Sequence, residues 1–396
     1  MRPFSLLVKP ASADCNLRCD YCFYLEKARL YPETKRHRMS DAVLERLIRS
    51  YLATEQGVHA LAWQGGEPTL MGLEFFRRVT ALQAKYRRPG GVVANTLQTN
   101  ATLIDDEMAE HLARHRFLVG CSLDGPPDVH DRFRRSAAGG PSHADVMRGI
   151  RTLQRREVEF NILVLVSRAN MDRAAEVYRY LVDQGFLFHQ YIPCVEFDER
   201  GRPEPYTITG EAWGEFLCSL FDAWHARDTH TVSIRNFDAI LNKLVDDQST
   251  VCTMADDCRQ YFVVEHNGDV YPCDFFVEPE LKLGNIARDG WEALQDSEVY
   301  RAFGLQKRQR HPSCQTCAQL DLCFGDCLKH RMYARHPAHT RSWLCSGIKR
   351  FLEEKRGRFA SLAGEVRWGR AGLSLGGEAI PAPGETWTLG HGETPC

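Results

Sequence analysis

Between residues 4 and about 196, short apolar runs alternate with amphipathic stretches, and this alternation restricts the fold more than any other feature. The runs Phe4–Lys9, Ala60–Gln64, Val92–Gln98, Phe117–Ser122, Phe160–Val166 and Phe188–Ile192 read as strands. Helices are predicted between them at Ser40–Thr54, Leu73–Arg87, Asp105–Arg114, Ala144–Arg155 and Asp172–Gln184, with Ser40, Asp105 and Asn170 as N-caps. Strand and helix in such regular turn predict parallel strands joined by right-handed crossovers and buried on both faces. Six units do not close an eight-stranded barrel, so an α/β fold with a partial (β/α)6, TIM-like barrel or an open sheet is expected.

Polar and glycine-rich signals gather just after the strands. They are a cysteine loop after the first run, Gly65-Gly66-Glu67-Pro68 after the second, Gln98-Thr99-Asn100 at the end of the third and Ser122-Leu-Asp124-Gly125 after the fourth. In a parallel sheet all these ends lie on one face, the face where active sites form. Glycines there let backbone approach a ligand closely, and Glu67 or neighbouring carbonyls could accept hydrogen bonds from an ammonium group.

The loop after the first run carries Cys15, Cys19 and Cys22, three thiols in eight residues. That spacing wraps a compact ion or cluster and leaves a fourth position open for chemistry. Fifteen cysteines in 396 residues, mostly in tight groups, point to metal rather than to the disulfides of a small secreted chain. Eight more clustered thiols follow: Cys252, Cys258, Cys273, Cys314, Cys317, Cys323, Cys327 and Cys345. Eight thiolates suit two [4Fe–4S] clusters or two structural zinc sites. Cys121, Cys194, Cys218 and Cys396 stand apart and read as small buried hydrophobes or a loose terminal thiol. Within this second region Tyr261–Glu265, His266-Asn267-Gly268-Asp269 and Val270-Tyr-Pro form a hairpin signal.

A formal net charge of −2 gives no electrostatic case for nucleic acid or a membrane as partner. No apolar run approaches the ~18 residues of a spanning helix. The start of the chain lacks a signal-peptide pattern, so a cytoplasmic location is expected. The organisation expected is a barrel over 1–200, a linker and helices over 201–250, a cysteine-rich domain over 251–350, and a C-terminal helix with a mobile tail, Gly- and Pro-rich from Gly369, over 351–396.

The C-x3-C-x2-C loop together with the GGE segment resembles the radical S-adenosylmethionine (SAM) superfamily. The distal cysteines resemble its SPASM extension, which carries two auxiliary [4Fe–4S] clusters. Ser5-Leu-Leu-Val-Lys-Pro-Ala-Ser, Cys22-Phe-Tyr24, Trp63-Gln64-Gly-Gly-Glu-Pro-Thr-Leu, Leu97-Gln98-Thr-Asn and Tyr271-Pro-Cys-Asp274-Phe resemble one subfamily, the anaerobic sulfatase-maturating enzymes. The resemblance implies three [4Fe–4S] clusters and SAM as cofactors. Cys15, Cys19 and Cys22 would hold the SAM-cleaving cluster, and Tyr21, Gly65, Gly66, Glu67, Ser122, Arg134 and Val195 would line the SAM site. Cys252, Cys258, Cys273 and Cys327 would hold an inner auxiliary cluster, and Cys314, Cys317, Cys323 and Cys345 an outer one. Asp274 would be the catalytic acid/base, with Tyr24 and Gln64 touching the substrate. The substrate implied is a sulfatase polypeptide with a Cys/Ser-x-Pro-x-Arg motif, whose Cys or Ser becomes Cα-formylglycine. A low-potential donor such as flavodoxin or ferredoxin is the implied electron source. Another SPASM peptide maturase, forming a thioether or carbon–carbon crosslink, is the alternative.

Overall fold

The structure is a computed structural model that describes residues 1–375. The strand–helix alternation is realised in order: β1 (Ser5–Lys9), α1 (Asp41–Leu52), β2 (Val58–Trp63), α2 (Gly72–Tyr86), β3 (Val92–Thr99), α3 (Asp106–Arg114) and β4 (Leu118–Ser122). Then come α4 (Pro127–Phe133), α5 (His143–Arg155), β5 (Phe160–Val166), α6 (Ala174–Asp183), β6 (Phe188–Pro193), α7 (Gly210–His225), β7 (Ser233–Ile234) and α8 (Arg235–Asp246). Strands β1 to β7 are parallel and hydrogen-bonded in sequence order.

Two of the expected caps are in place. Ser40 accepts a hydrogen bond from the Val43 amide and Asp105 from the Met108 amide, each satisfying an otherwise unpaired N–H of the first turn. Asn170 does something else. Its Oδ1 accepts from the Ser167 amide and its Nδ2 donates to the carbonyls of Asp124 and Leu165, so it ties the ends of β4 and β5 together. Helix α6 starts at Ala174 without a side-chain cap. The periodicity gave no sign of α4, whose seven residues open on a proline, a compatible first-turn residue.

Burial on both faces was expected, but most strands alternate. Leu6, Val8, Leu61 and Trp63 are sealed, while Leu7, Ala60 and Ala62 on the other face are half-buried. The sealed face joins the apolar stripes of the helices in one contiguous core running from Phe4 to Leu362.

The hairpin predicted near Asn267-Gly268 forms from β8 (Tyr261–Glu265) and β9 (Asp269–Tyr271), with Gly268 at φ +87°, a value glycine takes without strain. Beyond it β10 (Gly284–Asn285) adds an antiparallel edge. Strand β8 also pairs in parallel with β1, Lys9 lying opposite Glu265, so the cysteine-rich segment extends the same sheet. Short helices α9 (Trp291–Asp296), α10 (Glu298–Leu305), α11 (Leu320–Cys323) and α12 (Leu328–Arg331) lead to α13 (Cys345–Leu375), which lies along α7 and α8. The stretch read as a tail from Gly369 is thus helical as far as Leu375. The rest of it, Cys396 included, lies outside the described residues. No described helix is long and apolar enough to cross a membrane.

Candidate active site

The Cys15–Cys22 loop follows β1 and is strapped to its neighbours by backbone. The Gly66 amide donates to the Ser12 carbonyl (2.7 Å), Glu67 N to Asp14 O (2.8 Å), Arg18 N to Arg135 O (2.8 Å) and Asp20 N to Phe133 O (2.9 Å). A Cβ on Gly66 would lie 2.0 Å from the Asp14 oxygen, so only glycine lets the second strand end meet the loop this closely. Donors surround the sulfurs: the Leu17 amide lies 3.3 Å and Asn100 Nδ2 3.7 Å from Cys15 Sγ, and Arg134 Nη1 3.9 Å from Cys19 Sγ. Burial pushes the Cys15 thiol up to about 12, with Glu67 adding to it, and the Cys19 thiol up to about 11. Left to themselves these are poor nucleophiles. Bound to iron, their charge would be met by the cluster and by the surrounding donors.

Glu67 turns inward. It is completely buried, and its Oε1 accepts from the Thr69 amide, the Thr69 hydroxyl and the Thr99 hydroxyl, while Oε2 accepts from the Asn100 amide. It therefore fixes the ends of β2 and β3, and what this segment offers an ammonium group is backbone. Glu67→Ala leaves four buried donors without that acceptor and costs about 3–5 kcal/mol. Thermal melting of the reconstituted protein is expected to show the loss as a drop of several degrees.

Tyr21 and Arg134 meet, although 113 positions separate them. The Tyr21 hydroxyl donates to Asp124 Oδ2, and Arg134 Nη2 lies 3.3 Å from Oδ1 of the same carboxylate. Asp124 also accepts from the Leu165 amide (3.0 Å). Burial raises the pKa of its carboxyl, but Arg134, His130 and the hydrogen bonds outweigh that and hold it below the usual carboxylate range. Asp124 is a functional candidate that the sequence reading passed over; its signal was only its place after a strand end. Ser122 closes β4 just before it. Val195, after β6, is sealed in the core. Gln64 is half-buried after β2, its amide donating to the Val8 carbonyl (2.9 Å).

Tyr24 is buried, and its hydroxyl donates to Glu265. Lys9 Nζ stands over the Tyr24 ring, 3.9 Å from the centroid, and pairs with Asp274 Oδ1. Asp274 opens a 3-10 turn directly after Cys273. The rings of Phe23 and Phe275, which follow Cys22 and Asp274, lie 4.9 Å apart and share the Lys329 ammonium. The first loop and the cysteine-rich segment thus meet at Asp274.

The distal thiols fall into two neighbourhoods. Burial raises Cys258, Cys273 and Cys327, and Cys252 raises each of them further. Burial likewise raises Cys323, which Cys345 and Cys314 push further, and Cys345, which feels Cys314 and Cys317. Two buried cations, Lys307 and Arg331, stand beside the first group and favour its thiolates. Arg331 Nε is buried with no acceptor among the described residues, a donor that a cluster sulfur would satisfy. No three Cys, His, Asp or Glu side chains among the described residues converge on one ion-sized point. A cubane, which takes each thiolate on a separate iron, does not ask for that convergence. The donor set fits iron–sulfur clusters.

The Radical SAM superfamily model matches residues 10–181, and the SPASM model, an iron–sulfur cluster-binding domain, matches residues 252–318. The chain is therefore a radical SAM enzyme with a SPASM extension, whose cofactors are SAM and three [4Fe–4S] clusters. It is 36% identical over 370 residues to the serine-type anaerobic sulfatase-maturating enzyme of Bacteroides thetaiotaomicron, covering 89% of each chain. It is also 36% identical over 371 residues to the cysteine-type enzyme of Clostridium perfringens, covering 93% of this chain and 100% of that one. The solved structure of native anSMEcpe with bound AdoMet and Kp18Cys peptide superposes with a TM-score of 0.86 at 36% identity, covering 92% of this chain and 100% of that chain. The chain belongs to the anaerobic sulfatase-maturating enzymes.

Proposed function

We propose that this chain oxidises the target Cys or Ser of a sulfatase polypeptide to Cα-formylglycine. The observation that carries the reading is the meeting of Asp274, next to Cys273, with Lys9 at the end of the strand that feeds the Cys15–Cys22 loop. Cys15, Cys19 and Cys22 hold the SAM-cleaving cluster, with Tyr21, Gly66, Ser122, Arg134 and Val195 lining the SAM site and Gly65 and Glu67 shaping it. Cys252, Cys258, Cys273 and Cys327 hold one auxiliary cluster, and Cys314, Cys317, Cys323 and Cys345 the other. When bound, these groups supply a 5′-deoxyadenosyl radical that takes a hydrogen atom from the target Cβ, and an acceptor for the second electron.

The chain's own part is proton transfer and orientation. Asp274 takes the S–H or O–H proton of the target side chain, which requires an approach of about 3 Å. Its Oδ2 accepts no hydrogen bond among the described residues and is available for that proton. Loss of a hydrogen atom, a proton and an electron converts C–O to the aldehyde directly. For Cys it gives a thioaldehyde, and water then exchanges sulfur for oxygen with release of hydrogen sulfide. Gln64 and Tyr24 shape the peptide side of the pocket. The division into 1–200, 201–250, 251–350 and 351–396 is the functional one: radical generation, connection, electron acceptance, and a helical support with its tail. Thiolate-held clusters suit a reducing cytoplasm, where a flavodoxin or ferredoxin would supply electrons.

The test is anaerobic reconstitution with a Cys-x-Pro-x-Arg peptide and its Ser analogue, followed by peptide mass measurement. The cysteine peptide is expected to exchange sulfur for oxygen with loss of two hydrogens. Loss of hydrogens with the sulfur retained would instead establish a crosslinking maturase.

A further inference from the structure

We propose that Lys9 is a positioning residue for Asp274: it clamps one carboxylate oxygen so that the other faces the target side chain. The inference rests on the reading of Asp274 as the base.

Lys9 is the last residue of β1 and only 2% exposed. An ammonium group this deep is costly unless a charge or a ring face meets it. Among the described residues its Nζ has one carboxylate hydrogen-bond partner, Asp274 Oδ1, and one ring face, that of Tyr24. That ring is held in turn, because the Tyr24 hydroxyl donates to the fully buried Glu265, which lies opposite Lys9 in the β1–β8 ladder. The lysine stem runs past Gly65. A Cβ there would come 3.1 Å from Lys9 Cδ and 2.7 Å from the Ser12 oxygen, so the first glycine of the GGE segment gives the stem its passage.

The elements that fix Lys9 therefore come from both halves of the chain. The loop glycine and Tyr24 come from the first, and Glu265 and Asp274 from the second. The Asp274 carboxylate accepts no other hydrogen bond among the described residues, and its 3-10 turn is only three residues long. Without the ammonium, no hydrogen bond among the described residues sets the direction of the carboxylate. A plain structural ion pair would support the fold. A positioning residue must also set the yield of aldehyde per radical event, because a base displaced by about 1 Å loses rate at the proton transfer and not at SAM cleavage.

The experiment uses the reconstituted full-length enzyme and Lys9→Met, which keeps the stem beside Gly65 and removes the charge. Iron and sulfide content, anisotropy-measured peptide affinity and 5′-deoxyadenosine formation are expected to stay within about twofold of wild type, and peptide KM within about threefold. The kcat for aldehyde, and aldehyde per 5′-deoxyadenosine, fall by about tenfold to a hundredfold. In an Asp274→Asn background the same change adds less than about twofold, because residues that act as a unit are not additive. Lys9→Arg restores part of the yield. If Lys9→Met does not fold, Lys9→Gln, which removes the charge but can still donate a hydrogen bond, is expected to lower the same ratio by a smaller factor, about threefold to tenfold. An unchanged aldehyde-to-deoxyadenosine ratio in the folded variant, or a full multiplicative loss in the double variant, overturns the proposal. If Asp274→Asn itself makes aldehyde at the wild-type rate, the base assignment has failed and the role of Lys9 falls with it.

Discussion

Asp274→Asn is expected to go on cleaving SAM to 5′-deoxyadenosine while its aldehyde yield falls by about a hundredfold or more. The substitution is close to isosteric, and the amide oxygen can still accept a hydrogen bond from Lys9, so the turn after Cys273 and the Phe23–Phe275 contact are kept. What the amide cannot do is take the target's proton. SAM cleavage, proposed for the loop of Cys15, Cys19 and Cys22, makes no use of the Asp274 proton and is expected to be untouched. Parallel assays of 5′-deoxyadenosine by chromatography and of aldehyde by peptide mass separate the two activities. Aldehyde production at the wild-type rate would remove Asp274 from the base role.

The second large effect is at that loop. Replacing Cys15, Cys19 and Cys22 together by Ala is expected to abolish 5′-deoxyadenosine and aldehyde alike, while about eight of about twelve irons remain. In the proposed assignment the loop gives one cluster its three thiolates and has no replacement for them. The donors around it, Leu17 N, Asn100 Nδ2 and Arg134 Nη1, are aimed at sulfur and cannot themselves bind iron. The eight distal thiols lie in separate neighbourhoods, so their clusters are kept. Iron analysis and 5′-deoxyadenosine assays check both halves of the expectation. SAM cleavage at a rate comparable to wild type would place radical generation elsewhere.

Much of the fold was written in local pattern. The first six strands fall within a few residues of the apolar runs, because period and length are set by neighbours in sequence. Asn267-Gly268 marked the β8–β9 turn for the same reason. What escaped were facts that depend on distant partners. Nothing near Tyr261 says that β8 will pair with β1, and Lys9 and Asp274 are 265 positions apart. The GGE carboxylate was legible as a strand-end group, but its inward turn depends on Thr99 and Asn100 from the next strand. Asn170 looked like a cap because Asn often is one, yet the carbonyls of Asp124 and Leu165 compete for its side chain and win. The cysteines stood out as candidate ligands from spacing alone. Asp274 became a candidate only through the resemblance to a family, since one acid after a cysteine has no pattern of its own. The structure adds the buried ammonium that meets it.

The proposed oxidation begins at the target Cβ and ends in an aldehyde on the same residue. A Cys-x-Pro-x-Arg peptide fully deuterated at that Cβ tests it most directly, with mass analysis of both 5′-deoxyadenosine and peptide. Deuterium is expected in the 5′-deoxyadenosine, with one aldehyde, holding the remaining deuterium, for each labelled molecule formed. Aldehyde accompanied by unlabelled 5′-deoxyadenosine, or labelled 5′-deoxyadenosine with the peptide sulfur retained in a crosslink, would contradict it.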